Sequence, residues 1–360
     1  MRKGEQNILI RALREPAVMS GLDAGQWSGL LRLARLAALS GRLDWLARQS
    51  GVFDQLPARV RSQFTSARNF ALGDQRQIRW EVRCLREVLA PRGIRITLLK
   101  GAAYLLAGCQ TAHGRLCSDV DILVAGDDLA RAEAELVAHG WEALKTDAYD
   151  DHYYRTWMHE LPPLRHRERG MIVDIHHTIL PPTSRYVLGG DVLLSRARPL
   201  GEDGLMALSE EDMAVHVIVH MMADGDLVGR LRELVDVDAL LREFGARAEF
   251  WPRFMARAGE LGVIRPVYYA LRLSRQLLAT PVPEAVLRGA DQARPAWPVR
   301  VLMDRLAPAA LTPQLPDKPG RLAGLAGLLL YIRAHWLRMP PLMLARHLAR
   351  KALRRLSPAS

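Results

Sequence analysis

Cysteine is scarce in this chain: Cys84, Cys109 and Cys117 are the only three in 360 residues. An odd number with no CxxC spacing excludes a disulfide framework and a cysteine-built zinc centre, and makes a reducing cytosol the expected location. Long apolar runs are missing too. The longest, LAGLAGLLLYI (322–332), falls well short of the ~20 residues that a membrane-spanning helix needs. The opening MRKGEQNILIRALREP places charges on both sides of a short apolar run, unlike a secretory signal. No heptad register is sustained, which favours a bundle over a coiled coil, and no internal repeat is visible. Acidic residues are the minority charge: 39 Asp and Glu stand against 50 Lys and Arg, nearly all arginine, for a net charge of +11. That excess favours anionic partners such as nucleotides, nucleic acid or an acidic membrane face. An arginine-rich composition also follows from GC-rich coding.

What is present is ordinary globular material, with 49% hydrophobic and 25% charged residues and length enough for two or three structural units. Up to residue 92 the pattern is helical. Trp27, Leu30, Leu31, Leu33, Leu36 and Leu39 recur at helical spacing behind Asp23, a good N-cap, and Leu56-Pro57 opens a second long helix that stops at Pro91-Arg92-Gly93. From residue 94 the character changes. IRITLL (94–99) and DVDILVA (119–125) read as strands, with a short helix, AAYLLAGC (102–109), and a polar loop between them. An amphipathic helix follows at 127–139. LPPLRHR (161–167) and MIVDIHHTIL (171–180) then read as a hairpin turning at Glu168-Arg169-Gly170. Ser209 and the acids after it open a further helical region, with a proline-rich break at 281–316 and a basic amphipathic tail at 333–355. The expected fold class is α+β, a small mixed sheet flanked by helices. The expected units are 1–92 (helical), 93–204 (sheet core) and 205–360 (helical, with the tail).

The chemistry concentrates in GRLCSDVDILV (114–124). Side chains two apart on a strand share a face, so Asp119 and Asp121 project together while Val120 and Ile122 point the other way. Two ionised carboxylates so placed repel unless a cation lies between them. Magnesium is the usual solution, because it takes oxygen ligands and keeps part of its shell for water and substrate phosphates. A two-ion site wants a third carboxylate on an adjacent strand. Asp174 in MIVDIHH is the candidate, with His176 on its face. Upstream, Leu99-Lys100-Gly101-Ala102 is a strand-to-helix turn where a backbone could approach a triphosphate.

These motifs, LLKGAAYLLAG, GRLCSDVDILV and VDIHH in that order, resemble the nucleotidyltransferase superfamily that includes DNA polymerase β. They are similar, more closely, to the poorly characterised bacterial "nucleotidyltransferase family" proteins. The specific resemblance covers about residues 95 to 180. It implies a metal-dependent enzyme that moves a nucleoside monophosphate from an NTP to an acceptor hydroxyl or phosphate. Asp119 and Asp121 would bind two Mg²⁺ (or Mn²⁺) ions, and Asp174 would serve the catalytic one. Lys100 and Gly101 would lie against the phosphates, with Arg115 and Ser118 lining the same pocket. The chain departs from the superfamily in having Gly101-Ala102 where Gly-Ser or Gly-Gly is usual. The acceptor could be a small molecule, a peptide or protein side chain, or an RNA end, with nucleic acid not the favoured choice. A toxin-like transferase acting on a protein or tRNA, a phosphohydrolase using the same ions, and a degenerate nucleotide- or partner-binding module are the alternatives.

Other groups admit plainer readings. Asp119-x-Asp121 could cap a loop, and Asp174 could pair with Arg165, Arg167 or Arg169 across the hairpin. His176 reads as a group behind the metal ligands, one facing substrate, or simply a satisfied buried histidine. His216 and His220 sit in an apolar helix without the glutamate of an HExxH site and read as core. Arg232, Asp236 and Asp238 read as helix-surface pairs or as the edge of the site. The tail reads as a packed terminal helix, with an RNA-contacting arm or peripheral membrane contact as the less favoured choices.

Overall fold

The computed structural model describes residues 7–144, 154–201, 204–224, 227–315 and 322–338. Four helices open the chain: α1 (Ile8–Arg14), α2 (Ala24–Leu36), α3 (Ser40–Gln49) and α4 (Ala58–Leu89). Asp23 caps α2 in a full capping box with Gln26, so two otherwise orphaned N–H groups are satisfied reciprocally. The expected single helix through Leu39 is in fact two. Ala38 takes the left-handed conformation, φ 54°, which ends α2 and lets α3 leave in a new direction. Helix α4 ends at Leu89 and runs on into a 3-10 turn, Ala90–Arg92, which Gly93 closes at φ 74°.

The sheet is larger than the sequence suggests. Among the described residues it has seven strands in the order β3-β4-β5-β2-β1-β7-β6: β1 (Ile96–Leu98), β2 (Asp119–Leu123), β3 (Trp141–Ala143), β4 (Leu164–His166), β5 (Ile172–His176), β6 (Arg198–Pro199) and β7 (Leu205–Ala207). Strand β2 pairs parallel with β5 and antiparallel with β1, while β7 adds parallel to β1. The hairpin β4–β5 forms as expected and turns through Gly170 at φ 71°. Strands β3, β6 and β7 have two or three residues each, too few to show the period-two pattern that identifies a strand. Helices α5 (Lys100–Leu106) and α6 (Leu129–Ala138) lie between strands, and α4 packs on β2, α5 and α6.

After α7 (Gly190–Leu194), Ser209 caps α8 (Glu210–Val219) by accepting from the Asp212 N–H, as expected. A π-helical turn, His220–Asp224, then widens the chain. Helices α9 (Leu231–Phe244), α10 (Phe250–Glu260) and α11 (Ile264–Leu278) complete the helical body. The proline-rich stretch is not a break. It holds α12 (Glu284–Ala290), N-capped by Pro283, and α13 (Trp297–Leu311), with a proline in its first turn. Proline there starts helices, because its missing N–H is one that a first turn leaves unbonded anyway. Helix α14 (Ala323–Arg338) follows, and residues 339–360, which carry most of the basic tail, lie outside the described residues. One hydrophobic cluster runs from Leu9 to Leu330 through helices and sheet alike. Among the described residues no helix is long and apolar enough to cross a membrane.

Candidate active site

Strand pairing brings the carboxylates together. In the parallel pair, Asp121 of β2 stands directly opposite Asp174 of β5, and Asp119 shares their face. Behind them Val120, Ile122, Val173 and Ile175 are fully buried, so one face of the two strands belongs to the core and the other to the acids. Their partners are unequal. Asp121 accepts from the Lys100 ammonium at 2.6 Å and from His176 Nε2 at 3.0 Å. Burial works to raise its pKa, but Lys100 and His176 outweigh it and hold the carboxyl well below the usual range. An ionised carboxylate only accepts, so His176 Nε2 carries the proton in this contact. Asp119 and Asp174 move the other way. Burial and the charge of Asp121 raise Asp119, and burial with the charges of Asp121 and Asp119 pushes Asp174 up to about 7. The Oδ1 of Asp174 is buried and accepts no hydrogen bond. Arg169, one possible hairpin partner, is instead held by Glu81 of α4 at 2.7 and 3.1 Å.

The strand-to-helix turn is fixed by its neighbours. Leu99 N–H donates to the Asp121 carbonyl, and Lys100 takes a left-handed φ of 44° that sends its ammonium to Asp121. Gly101 has a packing reason. A Cβ there would come within 2.3 Å of Cys117 Sγ and 2.4 Å of an Arg115 Nη. Ala102, the residue that departs from the superfamily pattern, is buried in the core. The 114–118 loop is clamped from two sides. Cys117 N–H donates to Asp74 of α4 at 2.7 Å, and Arg115 Nε donates to Asp236 of α9 at 3.0 Å.

These groups enclose a cavity of ≈ 200 Å³ lined by Lys100, Gly101, Arg115, Ser118, Asp119 and Asp121, together with Val217, His220, Arg230, Arg232, Glu233 and Asp236. Asp174 and His176 are absent from that lining and reach the site through Asp121. A second cavity, ≈ 390 Å³ between α2, α3 and α4, has no carboxylate in its wall and meets the first only at Leu116. Sequence reasoning found the first six lining groups and underrated the wall supplied by α8 and α9. Asp236, 3% exposed, is a buried partner of Arg115 rather than a helix-surface residue. Asp238 does pair along its own helix, with Arg242 at 2.8 Å. His216 is core as expected, whereas His220 faces the cavity and donates from Nδ1 to Glu233 at 3.0 Å. The carboxyl of Glu233 is lowered to about 2: burial opposes the shift, and His220 and Arg230 overcome it.

The oxygen-only donor set of Asp119, Asp121 and Asp174 suits a hard cation such as Mg²⁺. The orphaned Asp174 oxygen and the two raised carboxyls are what such an ion would relieve. Among the described residues, however, only His159, Glu160 and His176 gather their ligand atoms within 4.8 Å of one another. The aspartates stand more openly. His159 and Glu160 carry no motif and were missed in the sequence.

No curated protein and no solved structure matches the chain. A family model described as "Uncharacterised nucleotidyltransferase" matches residues 23–279, a span that takes in α2 to α11 and every group named at the site. The chain belongs to that nucleotidyltransferase family.

Proposed function

We propose that the chain moves a nucleoside monophosphate from an NTP to an acceptor hydroxyl in the cavity between Asp119 and Arg232. One observation carries this reading: Asp121 and Asp174 stand opposite each other with Asp119 on their face, and two of the three carboxyls are raised by burial and mutual charge. Held by the three aspartates, Mg²⁺ (or Mn²⁺) would supply charge neutralisation at the α-phosphate and at the leaving pyrophosphate.

The chain's own residues divide the remaining work. Lys100 and His176 keep Asp121 ionised. Ser118 hydrogen-bonds the Asp119 carboxyl and lowers its pKa against burial. Arg115, oriented by Asp236, and Arg230 and Arg232 from the opposite wall present the cations that a triphosphate needs. Asp174, raised to about 7 by burial and by the charges of Asp121 and Asp119 in the metal-free chain, stands opposite Asp121 and would complete the oxygen set around the ion. The acceptor classes are a small molecule, a peptide or protein side chain, or an RNA end.

The test is incubation of the chain with each α-labelled NTP, Mg²⁺ and cell lysate, alongside Asp119→Asn. Label passing into a new product in the wild type and not in the variant is the expected result. Release of free monophosphate with no labelled product would replace transfer by hydrolysis. Metal-dependent nucleotide binding with no turnover would reduce the protein to a binding module.

A further inference from the structure

One cluster beside the aspartates has chemistry that the transfer reading does not use. The 159–161 segment runs along β5: Leu161 N–H donates to the Ile175 carbonyl at 2.9 Å, His177 N–H to that of His159 at 3.1 Å, and Glu160 bridges to His176. This backbone pairing stacks the His159 and His176 rings, with centroids 5.3 Å apart and planes at 27°. Both Nε2 atoms face one carboxylate oxygen, Glu160 Oε2, at 3.6 Å from His159 and 3.4 Å from His176. Ligands ~2.0–2.2 Å from a tetrahedral ion lie about 3.4 Å from each other. Glu160 Oε2 already has that spacing to each imidazole, all three ligand atoms lie within 4.8 Å of one another, and the cluster is held by backbone pairing along β5. The imidazoles are buried, at 4% and 1% exposure, while Glu160 is partly open to solvent and gives an entry path.

We propose that His159, Glu160 and His176 form a second cation site, chemically unlike the aspartate floor and selective for a borderline divalent ion such as Zn²⁺. Two imidazoles and one carboxylate are the donors that such ions prefer, whereas Mg²⁺ prefers oxygen alone. The two sites share a residue. His176 Nε2 also lies 3.0 Å from Asp121 Oδ1, so an ion at the imidazoles takes that hydrogen bond away from Asp121. Occupancy of one site therefore biases the other, and the bias is reciprocal. His176 Nδ1 makes no hydrogen bond. Asp121 holds the proton on Nε2, so an ion there requires that proton to move to Nδ1, and the site lacks the backing acceptor whose loss typically weakens metal affinity by about 10–100-fold.

Co²⁺ is the probe, because its visible bands are intense with imidazole in a four- or five-coordinate site and weak in an all-oxygen octahedral one. The untagged, metal-free full chain is titrated with Co²⁺, and bound Co²⁺ is then displaced with Zn²⁺. The expected result is an intense spectrum that Zn²⁺ abolishes. His159→Ala and Glu160→Gln should each weaken Co²⁺ binding by about tenfold or more, and Asp119→Asn should leave it within about twofold. Glu160→Gln keeps the size of the side chain and decides the matter if His159→Ala does not fold. A weak octahedral spectrum, or an intense one that survives Glu160→Gln, overturns the proposal. No nucleotide is involved, so failure here and failure of the transferase reading remain distinguishable.

Discussion

Asp212 is fully buried and Asp174 half-buried, and the protein treats the two carboxylates oppositely. Asp212, fully buried on α8, has both oxygens taken by Arg257 at 2.7 and 3.1 Å. Asp236 and Glu81 are likewise matched to Arg115 and Arg169. Asp174 sits opposite another acid, with one oxygen bonded to nothing. A buried charge is costly without a partner, and this sequence has arginine to spare. In the helical body the acids fasten elements together. In the sheet an acid is left opposite another acid with no cation bonded to it.

The contrast can be broken first on its fastened side. Arg257→Met leaves the Asp212 charge buried without a partner and should cost about 3–5 kcal/mol in urea unfolding; a loss below ~1 kcal/mol would mean that the paired acids fasten nothing. On the other side, Asp121→Asn should lower the rate of label transfer by about 10²–10³-fold while the chain stays folded by circular dichroism. Arg232→Ala removes a cavity cation whose internal hydrogen bond, to the Leu116 carbonyl, is long at 3.4 Å. Calorimetry with Mg²⁺ and NTP should show binding about tenfold weaker, with thermal stability nearly unchanged. The smallest effect belongs to Ser118→Ala, which removes one hydrogen bond to Asp119 and should slow transfer about three- to tenfold.

Much of this was legible in the residues. Alternation placed Asp119 and Asp121 on one face, the lone acid in MIVDIHH nominated Asp174, and Asp23, Gly93 and Ser209 marked helix ends by their own chemistry. What could not be read is what tertiary pairing decides. The register of Asp121 on Asp174 joins strands separated by about fifty residues, and no local pattern encodes it. The Arg115–Asp236 pair closes over 121 positions, so Asp236 looked like one more helix-surface acid. Prolines 283 and 298 suggested a break because the sequence shows where helices stop more readily than whether another starts. The left-handed backbone of Lys100, which pairs its ammonium with Asp121 at 2.6 Å, likewise has no local signature beyond the glycine that follows it.

The central claim is that Asp174 is held for a cation and not for the fold, and the pH dependence of one variant tests it most directly. With its pKa raised from 3.8 to about 7, the folded chain keeps a proton there that the unfolded chain releases. The resulting penalty is absent below about pH 4, grows as pH rises, and is complete above about pH 7. Unfolding of wild type and Asp174→Asn is to be compared in EDTA at pH 5 and pH 8. The account predicts that the variant is the more stable chain at pH 8, by on the order of 1–4 kcal/mol, with the gap narrowing at pH 5. A variant that is less stable than wild type at pH 8, as Arg257→Met should be, would contradict it.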